Sequence, residues 1–324
     1  MAMDHNEWER PLRDLEEGVA KLWELEKKEK DPVKRAKYGD QAREFQAKLE
    51  GFQDVLYRNI GPWEQVLIAR ALKRPYTLDY VQSIFSNFVE LQGDRAGFVD
   101  NAIVGGPAMF EGRPVMIVGH QKGRNIQDRQ FRSFGMAKPE GYRKAIRLFE
   151  MAERFRMPVI SFVDTPAADP GVESEARGIS EAIAAGMYKM FQLTVPTIAV
   201  VIGEGGSGGA IGIATSSRVL MLEHAVYSVI PPEGCAAILW RAPERGSDAA
   251  KALQLTAHRA KEFGLIDDIV SEPKGGAHRD WPGASEMVRN AIAKHLGELS
   301  ELTDEELRES RYQKFRAMGA FTSS

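Results

Sequence analysis

One cysteine in 324 residues, Cys235, excludes a disulfide framework and any multi-cysteine zinc site within the chain, and points to a reducing cytoplasm. No apolar run approaches the roughly 18 residues needed to span a bilayer. The opening M-A-M-D-H-N-E-W-E-R is acidic and polar and does not read as a signal peptide. A net charge of −3 gives no global push toward nucleic acid. There is no internal repeat and no low-complexity linker. The 43% apolar content supports a sizeable core. The length is more than one minimal domain needs and short for three.

Glycine is present and unevenly placed. Residues 200–214 read V-V-I-G-E-G-G-S-G-G-A-I-G-I-A, the continuation of an apolar run that starts at Ile198. Gly203, Gly205, Gly206, Gly208 and Gly209 fall within seven residues. A strand that ends in glycines and feeds a helix leaves N–H groups pointing at open space, with the helix dipole behind them. This predicts an anion- or oxyanion-binding turn. Gly203-x-Gly205-x-x-Gly208 fits a dinucleotide fingerprint, with Glu223 roughly 20 residues on. Gly205-x-Ser207-x-Gly209 fits a hydrolase nucleophile elbow. A pair of peptide N–H groups forming an oxyanion hole needs no nucleophile at all. A plain packing turn fits too. A Walker phosphate loop does not, because no Lys-Ser or Lys-Thr closes the run.

Residues 1–85 read as helical: one helix from about residue 12 to the Asp31-Pro32 break, then helices at 33–57, 63–72 and 79–91. Near Gly93 the pattern changes. Strands are predicted at 102–105, 114–119, 158–163, 197–202 and 218–222, and helices at 141–155, 175–191 and 210–216. Another helix begins near Asp248, and F-G-L-I-D-D-I-V at 263–270 follows it. The alternation predicts an α/β layer with parallel strands at 86–280. A charged helical tail occupies 281–324.

Lys122 and Arg124 lie in a loop after the second core strand, where sites on parallel sheets are built. Residues 121–156 carry ten basic and four acidic side chains, which suits either a solvated face or attraction of an anionic substrate. D-T-P-A-A-D-P-G at 164–171 is a rigid turn at the next strand end, and Ala167 and Ala168 there offer a second set of peptide donors. The carboxylates of Glu173 and Glu175 suit a helix start. A hydrolase would need a base for Ser207, and neither His224 nor His278 sits in a loop that marks it as one. A dinucleotide site is cramped, with about 14 residues between the last glycines and Glu223.

Several blocks occur together and in order: R-P-Y-T-L-D-Y at 74–80, I-V-G-G at 103–106, G-H-Q-K-G-R at 119–124, F-G-M-x-x-P-E-G-Y-R-K-A at 134–145, G-E-G-G-S-G-G-A at 203–210, Y-S-V-I-x-P-E-G-C-A at 227–236, E-P-x-G-G-A-H at 272–278 and R-Y-Q-K-F at 311–315. In this order the chain resembles the α subunits of the bacterial and plastid acetyl-CoA carboxylase carboxyltransferase, over about residues 55–318. The resemblance implies a crotonase/ClpP-like ββα superhelix, with a family module at roughly 40–295. It implies transfer of a carboxyl group from carboxybiotin, carried on the biotin carboxyl carrier protein, to acetyl-CoA, giving malonyl-CoA for fatty-acid synthesis. It implies an α2β2 assembly with a β subunit that carries the zinc and most of the acetyl-CoA site, and a separate biotin carboxylase. No metal or covalent cofactor is expected on this chain.

By position, the resemblance makes Gly208 and Gly209 backbone donors to the biotin ureido oxygen. Gly205, Gly206, Ser207, Lys122, Arg124 and Asp169 are placed on the substrate side. One departure stands out. The family reads D-T-P-G-A-Y-P-G where this chain reads D-T-P-A-A-D-P-G, so Ala167 replaces a glycine and Asp169 a tyrosine. That puts the geometry of the second donor loop in question. A paralogue with another acyl-CoA acceptor, a non-catalytic assembly subunit and a serine hydrolase using Ser207 are the competing expectations.

Overall fold

The computed structural model describes residues 7–319; the first six of the ten residues on which the signal-peptide reading rests, and the last five of the chain, lie outside them. Two long helices, α1 (Arg10–Lys28) and α2 (Pro32–Arg58), form a hairpin with its own small core of Leu12, Val19 and Leu49. Asp31 ends the link between them by accepting the Val33 N–H at 2.9 Å, and Pro32 takes the first helical position. Helices α3 (Pro62–Ala69) and α4 (Thr77–Ile84) follow. They lie within the predicted helical region, yet α4 packs into the main core through Tyr80 and Val81.

The predicted helix at 79–91 stops at Ile84. Beyond it the chain is extended and lies along strand β1 (Ile103–Phe110), with Ser86 and Met109 exchanging hydrogen bonds and Leu91 donating to the Gly105 carbonyl at 2.8 Å. Glycine makes this approach possible, because a Cβ at Gly106 would sit 1.9 Å from the Val89 oxygen. β1 turns back into β2 (Arg113–His120) through Glu111 and Gly112, both at positive φ, the geometry of a two-residue hairpin.

From β2 onward the strands run parallel. Helices α5 (Ile126–Phe131) and α6 (Pro139–Arg154) lead to β3 (Val159–Thr165). The predicted helix at 175–191 is broken at Gly178, which adopts φ +80°, into α7 (Val172–Ala176) and α8 (Ile179–Gln192). β4 (Thr197–Gly206) is longer than predicted and continues through the first glycines. Helix α9 (Ser207–Ala214) starts at the serine. β5 (Arg218–Leu222) and a short unpredicted strand, β6 (Val226–Ser228), both pair with β4. Then come α10 (Pro232–Trp240), α11 (Gly246–Leu253), α12 (Ala257–Glu262), β7 (Asp268–Val270), α13 (Trp281–Ser300) and α14 (Asp304–Arg316). The sheet order is β1-β2-β3-β4-β5-β7. Every residue of β3 and β4 is buried, as expected of parallel strands covered on both faces. α13 and α14 contribute Val288, Ile292, Leu296, Leu299 and Leu307 to the same core, so the predicted tail is part of it.

Two buried cations hold distant segments together. Arg311 of α14 is 0% exposed, and no carboxylate among the described residues pairs with it. Its guanidinium donates to the carbonyls of Met190, Leu193 and Val195 and to the Ser217 hydroxyl, closing the C-terminal end of α8. Arg74 meets Glu272 in a two-pronged pair at 2.5 and 2.8 Å and donates from Nε to the Ile202 carbonyl at 2.6 Å. The same carboxylate accepts the N–H groups of His224 and Ala277. Burial alone would raise Glu272, but Arg74 holds it down to about 2, from an ordinary 4.5.

A depressed carboxylate contributes stability that is fully present above its ordinary pKa and is lost as pH falls through the folded value. We therefore expect chemical-denaturation midpoints to drop between about pH 4.5 and 2, with this one group accounting for roughly 3 kcal/mol. Glu272→Gln, which leaves Arg74 buried without a counter-charge, should cost about 3–5 kcal/mol at neutral pH by urea unfolding.

Candidate functional site at the ends of strands β2, β3 and β4

The predicted glycine turn is present. β4 ends at Gly206 and α9 begins at Ser207, so the N–H groups of Ser207, Gly208 and Gly209 belong to the first turn of a helix and have no intrahelical acceptor. Among the described residues nothing outside the helix accepts from them, and no side chain caps the helix. The turn is packed closely on the loop after β3. A Cβ at Gly206 would lie 1.9 Å from the Pro166 oxygen, and one at Gly209 would lie 2.6 Å from the main chain of Ala167 and Ala168. A Cβ at Gly205 would lie 2.6 Å from the Tyr227 ring. Gly208 is different: its nearest neighbour would be an Ile183 methyl at 3.4 Å, an ordinary contact. Most of these glycines are thus required for packing, and Gly208 is not.

The loop after β3 is built without left-handed backbone at Ala167, Ala168 or Asp169. Replacement of the family glycine by Ala167 therefore meets no conformational obstacle. The Ala167 N–H, expected as a donor, is already engaged by the Thr165 hydroxyl at 3.3 Å. The Ala168 N–H has no acceptor among the described residues. Asp169, expected to face substrate, turns back to accept the Gly171 N–H at 2.7 Å, while its own N–H donates to the Ala137 carbonyl.

Ser207 adopts φ +50°, the strained strand-to-helix geometry of a nucleophile elbow. Its hydroxyl has no histidine partner among the described residues. His278 contacts Glu9 at 3.3 Å, and the His224 main chain is tied to Glu272. His120 is fully buried, and burial together with the Lys122 charge pushes it down to about 3. Among the described residues no base is assembled for a serine nucleophile.

Lys122 and Arg124 are both engaged within the chain. Arg124 lies between the Tyr76 and Trp281 rings at 4.5 and 4.4 Å, pairs with Asp79 and donates to the Leu72 carbonyl. Much of the basic excess at 121–156 is likewise internal: Lys144 donates to the Asp100 carbonyl, Arg147 to that of Gly93, and Arg156 pairs with Asp304. Lys122 bridges Asp164 and Glu204, each at 2.7 Å. Arg70 holds the other Glu204 oxygen at 2.7 Å and reaches Glu233 at 2.5 Å. Burial would raise Glu204, but Lys122 and Arg70 hold it down to about 2; burial raises Asp164 against the pull of Lys122. Asp164, Glu204, Arg70 and Glu233 were not picked out from the sequence. The available signal was a glutamate inside a run otherwise fit for a fully buried strand, which demands a counter-charge.

A cleft of about 1000 Å³ opens over this network, bordered by Arg70, Tyr76, Lys122, Arg129, Pro166 and Glu204 on the core side and by Glu9, Arg13 and Glu16 of the N-terminal segment. Ligands of parallel α/β sheets bind at such strand ends. Among the described residues no cluster of His, Cys, Asp and Glu could hold a metal ion, and no helix is long and apolar enough to cross a membrane.

The site thus consists of free peptide donors at the ends of parallel strands, with no nucleophile–base pair among the described residues. The transcarboxylase 12S structure with methylmalonyl-coenzyme A and methylmalonic acid bound superimposes with a TM-score of 0.58 at 22% identity, covering 73% of this chain and 44% of that one. The Pseudomonas malonate decarboxylase MdcD-MdcE hetero-dimer gives 0.59 at 17%, covering 74% and 95%. These likenesses bear out the crotonase-type fold. The family model described as acetyl co-enzyme A carboxylase carboxyltransferase-like matches residues 5–319, and the chain belongs to that family. It is 51% identical, over 97% of both chains, to the acetyl-coenzyme A carboxylase carboxyl transferase subunit alpha of Geobacter metallireducens. It is 48% identical to the subunit of that name in Haemophilus influenzae (strain PittEE), covering 98% of this chain and 99% of that one.

The two kinds of glycine make a direct test. Gly208→Ala should leave the thermal midpoint unchanged or slightly raised, since alanine suits a helix better by about 0.5–1 kcal/mol. Gly206→Ala, which drives a methyl into a carbonyl oxygen, should lower the midpoint, at a cost of about 1–3 kcal/mol or more.

Proposed function

We propose that the chain is the α subunit of an acetyl-CoA carboxylase carboxyltransferase, active together with a β subunit in an α2β2 assembly in the cytoplasm. It transfers the carboxyl group of carboxybiotin, presented by the biotin carboxyl carrier protein after charging by biotin carboxylase, to acetyl-CoA, giving malonyl-CoA for fatty-acid synthesis. Zinc belongs to the β subunit. Full-length similarity to the named subunits carries this reading, and the uncapped first turn of α9 supplies its chemistry.

When carboxybiotin gives up its carboxyl group, negative charge spreads onto the ureido oxygen. The Gly208 and Gly209 N–H groups, fixed at the positive end of α9, meet that charge as it develops. They need no rearrangement to do so, and loss of one such donor costs about 3–4 kcal/mol, or 10²–10³ in rate. The Ala168 N–H is the candidate second donor. Ser207 is a turn residue.

The chain co-expressed with its β subunit should carboxylate biocytin from malonyl-CoA, the reverse direction. A verified complex without this activity overturns the reading. Ser207→Ala should retain activity within a few-fold, and the wild type should resist fluorophosphonate labelling. Labelling that disappears in Ser207→Ala would instead establish a serine hydrolase.

A further inference from the structure

Beside the site the main-chain pairing of β3 and β4 is interrupted and then resumes between Thr165 and Gly205. The register shifts between Val163 and Thr165, at Asp164. There the Glu204 N–H donates to the Asp164 carboxylate at 2.9 Å. Lys122, from the end of the neighbouring strand β2, then reaches both Asp164 Oδ1 and Glu204 Oε2 at 2.7 Å. The three side chains are 12%, 2% and 10% exposed. β3 ends one residue after Asp164, and the loop of Ala167 and Ala168 follows; β4 ends two residues after Glu204, at Gly206, where the glycine turn leads into α9. A single ammonium therefore joins the two strand ends from which both sets of peptide donors spring. Removing it leaves two carboxylates facing each other out of water, a strongly unfavourable arrangement. Arg70 does not substitute, because it is directed to Glu204 and Glu233.

We propose that Lys122 is a positioning residue. It fixes the spacing between the glycine turn and the Thr165–Asp169 loop, and it does so through Asp164 and Glu204 without touching substrate. The proposal rests on the carboxyltransferase reading for its kinetic consequence and on the geometry alone for its structural one.

The test compares the αβ complex as wild type, Lys122→Met, Lys122→Arg and Lys122→Met with Asp164→Asn. In the double variant one of the opposed charges is gone, and the amide oxygen still accepts the Glu204 N–H. Misplacement of donors by about 1 Å can cost 10²-fold. Lys122→Met should thus lower kcat for biocytin carboxylation by about 10–100-fold, with KM for malonyl-CoA little changed. Lys122→Arg should lose less, and the double variant should recover most of the rate. Amide hydrogen exchange at 165–168 and 204–209 should accelerate in Lys122→Met and return in the double variant. A double variant as slow as Lys122→Met, with undisturbed exchange, would assign Lys122 to substrate contact and overturn the proposal, as would an unchanged kcat in Lys122→Met. If Lys122→Met does not assemble, assembly restored by Asp164→Asn upholds the clamp, and failure of both variants overturns it. An inactive wild type would defeat the carboxyltransferase reading instead, and the exchange pattern would then decide the clamp by itself.

Discussion

Arg74 and Glu272 lie against each other with their side chains 1% and 0% exposed, 198 residues apart in the chain. Such a pair is costly to bury and far costlier to break. Each partner also holds main chain. Arg74 binds the carbonyl of Ile202, two residues before the glutamate of the glycine turn. Glu272 binds the N–H groups of His224 and Ala277. Arg279, just beyond, pairs with Glu9 and Glu16. The connection after α3, the end of β4 and the loop that seats the N-terminal hairpin are thereby fixed to one another before any apolar packing is considered.

On that frame the site follows from two demands on the same few residues. The loops after β3 and β4 must touch, and glycine allows it: methyl groups at Gly206 and Gly209 would strike the main chain of the facing loop. The first turn of α9 must also stay open, and the absence of a capping side chain at Gly206 keeps it so. A serine or aspartate at that cap would stabilise the helix by about 1 kcal/mol and occupy the donors. The uncapped helix is less stable than it could be, and its N–H groups remain available.

Much of this was legible in the letters. The alternation of β-branched runs with amphipathic helices gave the parallel sheet, and the glycine run gave the turn between β4 and α9. The ordered blocks separated a carboxyltransferase from a hydrolase or a nucleotide-binding protein; the local motif could not, since Ser207 does adopt elbow geometry. What escaped was long-range. Residues 86–91 look helical by spacing, but their hydrogen bonds go to β1 because Gly106 leaves room. Lys122 and Arg124 looked like substrate ligands because their partners lie far along the chain: Glu204 is 82 positions from Lys122 and Asp79 is 45 from Arg124, and Asp164 sits on another strand. Gly178 breaking a helix is a local signal that periodicity overrode.

Arg311 sets an order of events. The carbonyls of Met190, Leu193 and Val195 receive their donors from a side chain synthesised more than a hundred residues later. On the ribosome the sheet can collapse and α8 can form, but that helix end stays open until α14 emerges and inserts its guanidinium. Sealing of that helix end therefore waits on α14, and a nascent chain stalled before α14 lacks the donors for these carbonyls.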